Sequence, residues 1–168
     1  MSQLDNIFTE TAVQPFDIRK IKSINEAELW IMEHGGEYQQ FGEEIELCKL
    51  THRFVPGMYI REILMPAGSL ISTKTHLTEN PFIISQGHCI VFDDLIGSAV
   101  EYRAPYTGIT KIGTRRLLYI FEDTIWTTFH VTNLTDVEAI EHVISKHTFN
   151  PLIGSVISKS LQLGEGTI

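Results

Sequence analysis

The spacing of apolar side chains along this chain changes from helical to alternating and back to helical. Ser23-Ile24-Asn25-Glu26 has the form of a capping box, in which the serine hydroxyl accepts from an amide one turn on and the glutamate reaches back. Ala27, Leu29, Trp30, Ile31 and Met32 follow, and Gly35-Gly36 offers the left-handed stop that helices favour, so the pattern predicts a helix over 24–34. From about 44 to 131 the chain reads as short β-rich runs at 45–55, 58–65, 69–77, 82–86, 88–92, 98–103, 115–122 and 125–131. Turn formers separate them: Pro56-Gly57, Pro66-Ala67-Gly68, Glu79-Asn80-Pro81, Gly87, Asp93 to Gly97, Pro105 to Gly113, and Asp123-Thr124. A second capping box, Thr135-Asp136-Val137-Glu138, precedes Val137, Ile140, Val143 and Ile144 on one face, which predicts a helix over 136–147 with His147 in its last turn.

Eight runs with no long helix between them favour an antiparallel jelly roll over an α/β sheet, because parallel strands need helical crossovers. The chain of 168 residues is then expected to be one structural domain: an N-terminal arm and short helix (1–43), the barrel (44–131), and a C-terminal helix and tail (132–168). Pro15 interrupts any helix in the first 22 residues. The last segment carries Leu152, Ile153, Val156, Ile157, Leu161 and Leu163 among glycines and serines, which suggests docking on a neighbour or on the chain's own barrel.

Charge narrows the classes. Twenty-one acidic residues against 13 basic ones give a net charge of −8, and Arg19-Lys20 with Lys22 and Arg115-Arg116 are too short to form a basic stripe. Both observations argue against nucleic acid as a partner. Arg115 and Arg116 are expected in surface pairs with Glu122-Asp123 or Asp93-Asp94. Cys48 and Cys89 are not in a CxxC arrangement and sit in apolar stretches, as small core residues do. No basic segment followed by an apolar run opens the chain, and no stretch approaches the ~18 apolar residues a membrane helix needs, so neither signal-directed export nor membrane spanning is expected. No GxSxG, P-loop, GxGxxG or HExxH motif is present.

The segment from Gly68 to Gly87 resembles the first motif of the cupins: Gly, five residues, His-x-His, three or four residues, Glu, six residues, Gly. Gly68, His76 and Gly87 match, whereas Lys74 stands at the first histidine position and Asn80 at the glutamate. The second cupin motif is weaker, with Pro105 and Gly108 one residue too far apart and Lys111 where the fourth ligand belongs. A lysine ammonium has no lone pair to give at neutral pH, so the resemblance implies a cupin-like antiparallel jelly-roll barrel with two flanking helices and a dismantled metal centre. Residues 57–148, above all Pro105 to Arg116 and Glu122 to His130, are similar to a group of small cupin-like proteins encoded by tailed bacteriophages. That similarity implies a viral protein in the host cytoplasm or the virion.

Alternation over 125–131 puts Trp126, Thr128 and His130 on one strand face and Ile125, Thr127, Phe129 and Val131 on the other. Lys74 and His76 likewise share a face, so Lys74, His76, Trp126 and His130 are the candidate ligand pocket. His52 and His88 rank below them, and Glu122-Asp123 is expected to form a hairpin turn. Three functions compete. The first is a non-enzymatic homo-oligomeric structural or binding module, partnered by itself or by other phage proteins and needing no cofactor. The second is a divergent enzyme acting on a small sugar or oxidisable metabolite, with a divalent metal on His76, Glu79 and His130. The third is a binder that uses Trp126 and Lys74 to hold an anionic or aromatic ligand, such as a host signalling nucleotide.

Overall fold

A computed structural model describes residues 17–34, 39–41 and 48–146. The capping box at Ser23 forms: the Glu26 amide donates to Ser23 Oγ at 3.2 Å, while the Glu26 carboxylate accepts from the Lys22 amide at 3.1 Å. Helix α1 runs Ile24–His34. It packs Ile24 and Ala27, both fully buried, on Leu70, Ile90, Phe92 and Leu117. Each large side chain buried there contributes roughly 1.5–3 kcal/mol.

Ten strands follow among the described residues: β1 Gln39–Phe41, β2 Lys49–Val55, β3 Met58–Met65, β4 Leu70–Ser72, β5 Thr75–His76, β6 Asn80–Asp93, β7 Ser98–Arg103, β8 Tyr106–Thr110, β9 Arg116–Val131 and, after helix α2 (Val137–Ile144), β10 Ser145–Lys146. Eight of them form one sheet, antiparallel except where β1 pairs in parallel with β4. The mainly antiparallel architecture with two helices is as expected. The parallel pair departs from it: a strand from within 1–43, read as lying outside the barrel, joins the sheet.

Two long strands organise everything else. The first half of β9 pairs with β4 and the second with β3, while β6 runs beside it almost end to end. The far edge of β6 carries β8 along its first half and β7 along its second. The result is two half-sheets sharing β6 and β9, one flanked by β2, β3 and β8, the other by β1, β4 and β7. Cys48, Met65, Ile71, Phe82, Ile84, Cys89, Val91, Leu118, Ile120 and Trp126, drawn from both halves, make a single core between them. Helix α1 covers the outer face of the second half.

Several turn expectations fail at this point. Gly87 and Asp123-Thr124 do not end strands; β6 and β9 pass through them with register shifts between Ile84 and Cys89. Gly87 takes φ +94°, open to glycine, and sits so tightly that a Cβ there would lie 2.4 Å from Thr124 Oγ1. Asp123 is not a hairpin residue: its carboxylate accepts from the Ala67 amide at 2.8 Å. The stretch 105–113, read as a separator, contains β8, whose Gly108 leaves room for the Phe82 ring. The 69–77 run breaks at Thr73-Lys74 into β4 and β5.

The second helix is shorter than the 136–147 expected. Its cap is Asp136 rather than Thr135, with the Ala139 amide donating to Asp136 Oδ1 at 2.8 Å. Ser145-Lys146 leaves the helix to pair with β5. His147 and the tail 151–168, with its expected docking, lie outside the described residues. No helix among the described residues is long and apolar enough to cross a membrane.

Candidate functional site

Strand parity builds the site. On β3, Tyr59, Arg61, Ile63 and Met65 face inward; on β9, Trp126, Thr128 and His130 do, as alternation predicts. Cross-strand register sets Arg61 beside Thr128 and Ile63 beside Trp126. A cavity of about 70 Å³ opens among Arg61, His76, Arg116, Trp126, Thr128 and Thr73, walled by Ile63, Met65, Ile71 and Leu118. That volume is several times the ~10–15 Å³ one water needs.

Arg116 crosses the interior. Its guanidinium lies 3.4 Å from Asp93 and donates to Thr110 Oγ1 at 3.0 Å. It also sits 5.4 Å and 5.7 Å from the ring centres of Phe82 and Trp126, themselves stacked at 4.5 Å. Burial lowers its pKa, and Asp93 works against that shift. The expectation of surface pairing for Arg115 and Arg116 is thus corrected. Arg116 is buried with Asp93, and Arg115 is buried against Glu28 and Asn25, joining α1 to the sheet. A guanidinium can be buried in this way when a carboxylate and hydroxyls satisfy it.

Of the four sequence candidates, His76 and Trp126 line the cavity. Burial first, then the charges of Arg116, His130 and Arg61, hold the His76 pKa down at about 4. His76 Nδ1 is buried with no hydrogen-bond partner among the described residues. His130 is placed behind the cavity rather than in its lining. Its Nε2 meets Thr128 Oγ1 at 3.0 Å and its ring lies 5.7 Å from Tyr59. Burial and Arg61 also hold its pKa at about 4, so both imidazoles are neutral at pH 7. Lys74 is not a cavity residue: its ammonium pairs with Glu141 of α2 at 3.0 Å. His52 accepts from or donates to Tyr59 Oη at 2.7 Å, and His88 pairs with Glu101 at 2.5 Å.

The alternative metal set does not converge. Glu79 is paired with Lys111 at 3.0 Å at the surface, and no three His, Cys, Asp or Glu among the described residues gather as a metal site. The residues around His76 are cations and hydroxyls, a donor set that repels a divalent ion instead of coordinating it. Asn80, at the cupin glutamate position, is fully buried, with its amide donating to the Pro81 carbonyl at 3.4 Å. Cys48 and Cys89 are free thiols in the core.

Sequence reasoning missed Arg61 and misplaced Arg116. Arg61 carried a signal, an arginine flanked at i±2 by Tyr59 and Ile63. The opposite parity, Met58, Ile60, Glu62 and Leu64, is equally apolar, so the inward face of β3 was ambiguous.

No protein-family model and no curated protein matches the chain. Among solved structures, it is similar to a protein of unknown function from Vibrio parahaemolyticus, with a TM-score of 0.46 and 10% identity over 52% of this chain and 92% of that one. A cupin-2 domain protein from Shewanella frigidimarina gives a TM-score of 0.42 and 8% identity, covering 50% and 80%. KdgF from Halomonas gives 0.44 and 10%, covering 52% and 82%. These likenesses span half of the chain, and at such scores they assign it neither a family nor a chemistry.

Proposed function

We propose that this chain is a cupin-like binding module that takes a small polar molecule into its interior without a metal ion. The observation that carries this reading is the cavity lining: two guanidiniums, a neutral histidine and hydroxyls over an apolar wall, with no carboxylate among the described residues that line it. Such a site has a few convergent polar groups on an otherwise apolar surface, as small-molecule sites do. Elemental analysis of the purified, untagged protein, combined with NMR against a panel of small polar molecules in EDTA, tests it. The expected result is a metal-free protein whose His76 and Trp126 resonances shift on binding. Stoichiometric iron, manganese, nickel or zinc whose removal abolishes binding overturns it.

A second reading, a homo-oligomeric module assembling with itself or with other phage proteins, is favoured by one observation. Leu64, Ile83, Ile109 and Val131 are exposed on the outer face of the half-sheet that α1 does not cover. Exposed large apolar side chains gathered on one sheet face are a feature of association surfaces. Light scattering on the full chain reads it: a dimer or larger assembly that falls to monomer in Ile83→Lys supports it, and a wild-type monomer removes it.

A further inference from the structure

Resting on the self-association reading, we propose that a second copy of this chain adds to the open edge of β8, the two β8 strands pairing antiparallel about Gly108 so that the sheets of both copies run on as one. Three observations lead there. First, the register between β6 and β8 runs unbroken from Asn80↔Thr110 to Ile84↔Tyr106, with Pro81 opposite Ile109. A proline has no N–H to give, so Pro81 and Ile109 form a non-hydrogen-bonded pair. Ladder alternation then leaves the bonds to β8 with Asn80, Phe82 and Ile84, and turns the N–H and C=O of Thr107 and Ile109 away from β6. Among the described residues no strand lies on that side of β8. Second, β8 carries no charged side chain, whereas the longer edge strands β2 and β7 carry Lys49 and Arg53, and Glu101 and Arg103. Charges on an edge oppose strand addition, so β8 is the edge left unguarded.

Third, the edge is complementary to itself, which is what favours a second copy as its occupant. Pairing about Gly108 sets Thr107 opposite Ile109 of the second copy and Ile109 opposite its Thr107, so the outward-facing backbone groups of each copy meet those of the other. On the outer face Ile109, 58% exposed, comes diagonally beside its own counterpart, next to Ile83 on β6. On the other face the exposed Tyr106 stands opposite Thr110 of the second copy and diagonally beside its Gly108, which has no side chain to obstruct the ring. A five-residue edge makes a small contact, in the range below ~1,200 Å² where association is transient, so the dimer is reversible and concentration-dependent.

Sedimentation of the full chain up to ~1 mM, with backbone amide exchange read by NMR over the same concentrations, tests the seam. The expected result is a monomer–dimer equilibrium in which exchange at Thr107 and Ile109 slows as the dimer fills, while Gly108, bonded to Phe82, is slow throughout. Thr107→Pro removes an N–H that faces the second copy, none that the ladder between β6 and β8 uses, and no apolar side chain; it should weaken the dimer at least ~10-fold. Circular dichroism confirms that the variant is folded, and if it is not, the exchange in the wild type decides alone. A dimer whose Thr107 and Ile109 exchange is independent of concentration, or one that forms as tightly in folded Thr107→Pro, overturns the β8 seam and leaves the self-association reading standing. Slow exchange at both amides in the dilute monomer also overturns the seam, because the chain's own residues then hold that edge. A wild type that is monomeric throughout removes the self-association reading and the seam with it.

Discussion

Acidification should destabilise this protein through a residue that makes no use of its charge. His130 is 3% exposed, and burial with the Arg61 charge holds its pKa at about 4, against about 6.5 for an imidazole in the unfolded chain. The unfolded state therefore takes up a proton as pH falls through 6.5, while the folded state takes it up only near 4. Stability is full above 6.5, declines between the two values and levels off below the lower one. Between pH 7 and pH 5 the linkage relation gives a loss of ~2 kcal/mol from His130 alone. His76, partly exposed, adds a smaller loss of the same sign. Urea denaturation at the two pH values measures the total, and His130→Gln isolates the share of His130, because the amide cannot titrate. The variant should lose ~2 kcal/mol less than the wild type between pH 7 and pH 5. Equal losses in the two proteins, or a His130 Cε1 proton resonance that titrates near pH 6.5 in the folded state, would refute the reasoning.

Three further outcomes follow from the fold. Gly87→Ala would place a methyl 2.4–2.6 Å from Thr124 and the Asp123 carbonyl at φ +94°, so it should cost well above the ~1–2 kcal/mol of the left-handed backbone alone; Gly97→Ala, at φ +72° in open space, should cost only that, and thermal melts compare the two. Asp136→Ala removes the α2 cap and should lower stability by ~1 kcal/mol in the same assay. Burial pushes the Cys89 thiol up to about 12 and raises Cys48 as well, so a disulfide-exchange reagent should modify neither in the native protein and both in urea; rapid native labelling would contradict the packing.

Local rules determined a good deal of this molecule. The Ser23 box and the helix it opens, the Pro56-Gly57 hairpin between β2 and β3, and the shared face of Trp126, Thr128 and His130 follow from short-range hydrogen bonding and the two-residue period of a strand. The departures from the cupin metal motif were equally legible, since the ammoniums of Lys74 and Lys111 have no lone pair to give at neutral pH and Asn80 replaces a carboxylate with an uncharged amide.

Contacts between distant residues decided the rest. Gly87 and Asp123-Thr124 look like turns locally, yet β6 and β9 pair along nearly their whole lengths, and bulging both strands keeps more ladder hydrogen bonds than breaking them would. Lys74 and Arg116 are both cationic side chains, for which sequence alone allows either a surface or an interior place. Their opposite fates, one bound to Glu141 of α2 and the other buried beside Asp93 against Phe82 and Trp126, depend on which carboxylate the fold brings within reach. The parity of β3, and with it the presence of Arg61 in the cavity, became defined only when β9 paired with it, because both faces of Met58–Met65 carry enough apolar surface to turn inward.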